Sequence, residues 1–210
     1  MVTKDILWLD VSFLNDDTLF EKYYHNLSPY RKAKTDRYRH RKDKNLSVGA
    51  GILLGNFLQP FGKQEKDMQY RFSENGKPFF CDFDRYFSIS HSKKMVAVSF
   101  SERETGCDIQ YCDGKDNKKI AQRFFTSYEY DTVVSSQNLS ETFYRIWTVK
   151  ESYLKLTGQG IGNGLNFFEV RFQNNHAELF RGGKKVPVDI KEYRHKNYWI
   201  AVCEFKSYHP

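Results

Sequence analysis

A carboxylate and an ammonium stand four residues apart in the run Glu141-Thr-Phe-Tyr-Arg-Ile-Trp147-Thr-Val-Lys150-Glu151-Ser152-Tyr-Leu-Lys155-Leu-Thr-Gly158. Phe143, Ile146, Trp147 and Leu154 recur at helical spacing, so the run is read as a helix ending at a C-terminal glycine. Glu151 and Lys155 then share one face. Such a pair can work on a phosphate ester: the carboxylate holds a metal and the ammonium meets an oxyanion. Glu–Lys pairs at this spacing also do no more than stabilise exposed helices. The other polar segments must decide between the two.

A second acid lies in Thr105-Gly-Cys-Asp-Ile-Gln110, which reads as a strand. Strand alternation puts Cys107 and Ile109 on one face and Asp108 and Gln110 on the other. Tyr86-Phe-Ser-Ile-Ser90 and Met95-Val-Ala-Val-Ser-Phe100 read as a hairpin joined by His91-Ser-Lys-Lys94. Ser28-Pro29 is a helix start, with serine as N-cap and proline at the first position. The helix is expected to run to about Asp43. A further helix follows, with Leu46, Ala50, Leu53 and Phe57 on one face, stopping near Gln59-Pro60. Residues 62–69 read as a polar connection, Tyr70–Phe72 as a short strand and Asn75-Gly76 as a turn.

Lys118–Phe125 is expected to be helical, with Thr126-Ser-Tyr-Glu129 capping the next helix. The N-terminal run is expected to be a first strand, with Ile6, Trp8 and Val11 facing inward, and further strands are expected near 166–173, 176–181, 186–191 and 198–205. Gly158-Gln-Gly-Ile-Gly-Asn-Gly164 neither follows a strand nor opens a helix, so it reads as a turn and not a phosphate loop.

The chain of 210 residues carries a net charge of +7, and 18 Phe, 14 Tyr and 3 Trp argue against disorder. Residues 31–44 hold eight basic residues (Arg31, Lys32, Lys34, Arg37, Arg39, Arg41, Lys42, Lys44) against Asp36 and Asp43. That field calls for a polyanionic ligand: nucleic acid, a membrane or a phosphorylated small molecule. No apolar run is long enough for a membrane span and no secretory leader is seen. Cys81, Cys107, Cys112 and Cys203 form no CxxC and no zinc spacing, so four thiols in a reducing cytoplasm are expected.

Phe87-Ser-Ile-Ser90-His91-Ser92, Thr105-Gly-Cys-Asp108-Ile-Gln110 and Trp147-Thr-Val-Lys150-Glu151-Ser152 through Lys155, in this order and spacing, resemble the Sfp-type 4′-phosphopantetheinyl transferases. Arg123-Phe-Phe-Thr-Ser-Tyr-Glu129, Gly76-Lys77-Pro78 and the basic helix after Ser28-Pro29 extend the resemblance over nearly the whole chain. The resemblance implies an α+β fold of two similar α/β halves forming a pseudo-dimer, residues 1–102 and 103–210, with the active site in the cleft between them.

The implied reaction moves phosphopantetheine from coenzyme A to a serine of an acidic apo carrier protein, acyl or peptidyl, releasing 3′,5′-ADP. It implies Mg2+, with Mn2+ as an alternative, on Asp108 and Glu151. Glu151 would also help to deprotonate the serine, and Lys155 would meet the leaving diphosphate. Lys150, on another face, is expected in a lesser role. Arg31 and Lys34 match the grip on the coenzyme A 3′-phosphate, Lys77, Ser90 and His91 other phosphate contacts, and Ser47 a position near the adenine. Lys118, Lys119 and Arg123, with Ile120 and Phe124, match the carrier-docking segment. One departure stands out: where the family often has Asp-x-Glu, this chain has Gln110, a poorer ligand that is expected to act on the metal through a water. A monomer is expected. The alternatives are a non-catalytic binder of coenzyme A or carrier protein, and a nucleic-acid binder using residues 31–44 with Tyr30 and Tyr38.

Overall fold

The computed structural model describes residues 5–160 and 164–206. The chain divides into two compact units, Met1–Glu102 and Arg103–Pro210.

In the first unit, β1 (Ile6–Asp10) leads through a 3-10 turn to α1 (Asp17–His25), α2 (Pro29–Asp36) and α3 (Arg41–Leu58). A hairpin of β2 (Tyr70–Phe72) and β3 (Pro78–Phe80) follows, then β4 (Tyr86–Ser92) and β5 (Met95–Ser101). The sheet order is β1-β5-β4, all antiparallel. Val48, Leu53, Leu54, Val96 and Val98 make its core with Val11 and Leu14. Ile6 is buried, but Trp8 is only half-buried. Val11 is buried from the 3-10 turn Val11–Asn15 and not from the strand, because Asp10 caps that turn by accepting from the Ser12 N–H.

Two boundaries near expected site residues differ from the expectation. The basic helix does not continue to Asp43; it stops at Asp36, and α3 begins at Arg41, before the apolar face starts. His91 and Ser92 belong to β4, opposite Val96 and Met95, so the turn shrinks to Lys93-Lys94 with Lys93 at φ 54.

The second unit holds β6 (Thr105–Tyr111), α4 (Lys118–Phe124), α5 (Ser127–Val134), α6 (Leu139–Thr157), β7 (Glu169–Gln173), β8 (His176–Arg181), β9 (Lys184–Lys185), β10 (Val188–His195) and β11 (Tyr198–Phe205). The sheet β10-β11-β6 carries α6 on one face, and β7-β8-β9 form a second small sheet. Each unit therefore has one long helix packed on a three-stranded antiparallel sheet. The expected Gly158–Gly164 turn falls partly outside the described residues, at 161–163.

Local rules account for α6. Asn138 caps it by accepting from the Glu141 N–H, and Gly158, at φ 71, ends it. Its neighbour α5 begins with a full capping box between Thr126 and Glu129. Among the described residues no helix is long and apolar enough to cross a membrane, and all four cysteines are free thiols.

The packing of β6 on α6 is unusually close at one point. A Cβ on Gly106 would lie 2.1 Å from the Ser152 carbonyl oxygen and 2.3 Å from the Leu156 nitrogen. Backbone atoms cannot swing aside as a side chain can, so only glycine allows this approach. Gly106→Ala is expected to destabilise the protein by at least ~2 kcal/mol, the range for overpacking a tight core. A fall in the urea midpoint at unchanged slope would show it.

Candidate active site

The close approach at Gly106 sets the site. Two residues further along β6, Asp108 stands beside the turn of α6 that carries Glu151 and Lys155. Lys155 donates to Asp108 Oδ1 at 2.7 Å. Gln110 Nε2 donates to Asp108 Oδ2 at 2.9 Å. Ile109 and Cys107 point the other way and are fully buried, so the strand alternation holds.

Glu151 is the odd member. It is 8% exposed, and its Oε1 is buried with no hydrogen-bond partner. Burial, and then the nearby Asp108 charge, push its carboxyl up to about 7, with Lys155 only partly opposing them. Burial works against the Lys155 ammonium too, but Asp108, Cys107 and Glu151 together outweigh it and its pKa is raised. Two buried carboxyls and one partly exposed ammonium thus share a place with one acceptor unsatisfied. A divalent cation would meet that need, and Mg2+ favours one or two carboxylates completed by phosphate oxygens and water. The residues present fit such an ion. Among the described residues no group of three or more His, Cys, Asp or Glu could hold one, so a metal here would rest on this pair.

The pairing differs from the simplest expectation. Lys155 does not pair with Glu151 along the helix; it reaches across to Asp108. Gln110 commits an amide N–H to Asp108, which does not use the side-chain oxygen that the expected water-mediated contact to a metal would need.

Lys150 lies on a different face, as helix geometry requires, and is wholly buried. It donates to Glu129 Oε1 at 2.5 Å and to the Phe168 carbonyl at 2.6 Å. Glu129 also accepts from the Val170 and Thr126 backbone N–H groups. Burial pushes the Glu129 carboxyl up and the Lys150 ammonium down, while their contact pulls each back. Lys150 is a packing residue of the unit's interior.

In the first unit, a cavity of about 60 Å³ is lined by Arg31, Lys34, Ser47 and His91, with Tyr38, Asp43, Leu46, Ala50 and Ile89. Four of the six residues expected to bind coenzyme A therefore meet. Ser90 and Lys77 lie outside its lining: Ser90 is buried in β4 and Lys77 is half-buried before β3. Ser47 shares a 2.7 Å hydroxyl contact with Thr35 of α2. Burial, and then Arg31, lower the Lys34 pKa. The cavity has room for about two waters, hence for one small anionic group. A larger cavity, about 610 Å³, is lined by Tyr23, Asn26, Gly51, Asn56, Gln59 and Glu65 among others, and by none of the expected site residues.

Comparison with known proteins shows the family. The sequence model of the 4′-phosphopantetheinyl transferase superfamily matches residues 104–203, the stretch that holds β6 and α6. The protein named 4′-phosphopantetheinyl transferase gsp, from Aneurinibacillus migulanus, is 32% identical over 207 residues, covering 97% of this chain and 86% of that one. The chain belongs to the Sfp-type 4′-phosphopantetheinyl transferases. The 4′-phosphopantetheinyl transferase Sfp of Bacillus subtilis is 29% identical over 189 residues, covering 87% and 84% of the two chains. The protein is thus a transferase of this class, with the α+β fold expected for it.

One residue of this transferase escaped the sequence reading. Glu65, inside the expected polar connection, is 3% exposed and bonded to Ser28 and Tyr70. No local pattern marks it; it sits in the short 3-10 turn Glu65–Asp67.

The raised Glu151 pKa has a stability consequence. A carboxyl that holds its proton more tightly when folded opposes folding once ionised. That penalty is absent below the ordinary value of 4.5 and complete above about 7. In chelator at pH 8, Glu151→Gln should therefore melt a few degrees above the wild type, a gain on the order of 1–3 kcal/mol. Thermal scans should show the two curves converging as the pH falls to about 4.5.

Proposed function

We propose that this transferase moves the 4′-phosphopantetheine group of coenzyme A onto a serine hydroxyl of an acidic apo carrier protein in a Mg2+-dependent reaction. The serine Oγ–phosphorus bond forms as the bond to the bridging oxygen breaks, and 3′,5′-ADP leaves with that oxygen. The observation that carries this reading is the unpartnered, buried Glu151 oxygen beside an Asp108 carboxylate already held by Lys155.

Asp108 and Glu151 would hold the ion, and when bound it offsets charge on the diphosphate. Lys155, half-exposed and anchored on Asp108, is placed to meet the leaving diphosphate oxygens. Glu151 would also help to take the serine proton, directly or through a water. Arg31 and Lys34, one turn apart on α2, would hold the 3′-phosphate in their small cavity.

The exposed side of α4 offers Lys118, Lys119, Ile120 and Arg123. Basic groups around an exposed apolar residue suit an acidic helical carrier, mainly by speeding encounter.

The nucleic-acid alternative needs residues 31–44 as a continuous basic face. The break between α2 and α3 interrupts that face. Arg31 is inside the protein, and Arg41 is committed to Asp17, Asn45 and the Leu14 carbonyl.

The deciding experiment is intact-mass analysis of several apo acyl and peptidyl carrier proteins incubated with coenzyme A, MgCl2 and this protein. A phosphopantetheine-sized gain that disappears with chelator is expected. Glu151→Gln should slow it by at least ~100-fold, the scale for one electrostatic element of a transition state. No gain on any carrier, with coenzyme A still bound, would favour the non-catalytic binder.

A second test addresses the anion cavity. Lys34→Ala should weaken coenzyme A by about ten- to a hundredfold, the scale of one charge-assisted hydrogen bond, and barely change dephospho-coenzyme A. Calorimetric titration with both ligands measures this, and equal losses would move Lys34 away from the 3′-phosphate.

A further inference from the structure

Arg31 presents a physical problem. Its residue is 1% exposed, and two of its guanidinium nitrogens, Nε and Nη2, are buried without a hydrogen-bond partner. A buried cation is tolerated only when something nearby offsets its charge. The offset is Glu65, whose Oε1 lies 3.5 Å from Arg31 Nε, an ion pair and not a hydrogen bond.

Glu65 is itself unable to move towards the arginine. Its Oε2 accepts from the Ser28 N–H at 2.6 Å, and its Oε1 accepts from Ser28 Oγ and the Tyr70 hydroxyl, each at 2.8 Å. Ser28 is the N-cap of α2, so the same carboxylate fixes the start of the helix that carries both Arg31 and Lys34. The arginine is confined on other sides as well. The Tyr30 and Tyr70 rings lie 5.9 and 6.0 Å from its Cζ. Its Cδ would be 2.9 Å from a Cβ on Gly51, so its stem runs tightly along α3.

We propose that Glu65 is a positioning residue for coenzyme A: it anchors one edge of the Arg31 guanidinium and the N-terminus of α2, leaving the far end of the guanidinium, on the cavity that Arg31 lines, to receive the 3′-phosphate. This rests on the reading above that Arg31 lines the 3′-phosphate site. A guanidinium held on one edge by a rigid carboxylate keeps its planar fork aimed before the ligand arrives, so less freedom is lost on binding. Ser28 and Tyr70 belong to the same device, because they fix the carboxylate that fixes the arginine.

The test is the ratio of dissociation constants for coenzyme A and dephospho-coenzyme A, measured by calorimetry on the full chain. Glu65→Gln keeps the shape and removes the charge. It is expected to weaken coenzyme A about tenfold, with less than about a twofold change for dephospho-coenzyme A. In an Arg31→Ala background, adding Glu65→Gln should leave the ratio unchanged, because Glu65 acts through that arginine. A residue with a merely structural role would lower the melting temperature and leave the ratio alone; that result, with Arg31→Ala collapsing the ratio, overturns the proposal. If Arg31→Ala itself leaves the ratio intact, the assignment of the 3′-phosphate to Arg31 fails instead. Should Glu65→Gln not fold, Tyr70→Phe removes one donor from Glu65 Oε1. It should shift the ratio in the same direction by about two- to threefold, and an unchanged ratio would again overturn the proposal.

Discussion

A fully buried ion pair, Lys150 with Glu129, governs the geometry of the second unit. It ties α6 to the capping box of α5 and, through the Phe168 carbonyl and the Val170 N–H, to the start of β7. Losing one partner of such a pair costs on the order of 3–5 kcal/mol, because the other charge is left alone in an apolar interior. Its satisfied hydrogen bonds allow only one rotation of α6 about its axis. Successive helical residues point about 100° apart, so fixing Lys150 inward also fixes the direction of Glu151. The adjacent acid is held against β6 by a contact that it does not itself make.

The second constraint is steric. Gly106 lets the β6 backbone touch the α6 backbone at Ser152 and Leu156. Ser152 also meets Cys203 of β11 through a 3.0 Å Oγ–Sγ contact, which fixes the helix over the sheet. Rotation is thus set by charge on one side of α6 and distance by glycine on the other. The outcome is a site in which each Asp108 oxygen accepts one hydrogen bond, from Lys155 and Gln110, while Glu151 keeps an unsatisfied oxygen. Strain of this electrostatic kind persists only where the surrounding structure over-determines it, and it is typical of places where a charged ligand completes the site.

The first unit solves a related problem with the opposite sign. There the buried group in need of a partner is a cation, Arg31, and the rigid counter-charge is Glu65. In both units a buried charged side chain keeps polar atoms without a hydrogen-bond partner beside a neighbour whose own bonds are made.

Much of this could be read from the sequence because it depends on short-range rules. The helix of Glu151 and Lys155, its terminal glycine, the alternation that pairs Asp108 with Gln110, the Ser28-Pro29 start and the Thr126–Glu129 cap all follow from periodicity, capping and turn chemistry within a few residues. The stop of α2 at Asp36 did not, because the intervening Arg37–His40 contains neither proline nor glycine. The partners of the charges were equally hidden. Lys155 bonds an acid 47 residues away and not its helical neighbour, Lys150 one 21 away, and Arg31 a glutamate in a loop with no pattern of its own. Local sequence sets which face a side chain occupies. Only the packing of distant segments, through burial that makes an unpaired charge intolerable, decides which opposite charge it meets and which atom is left for a ligand.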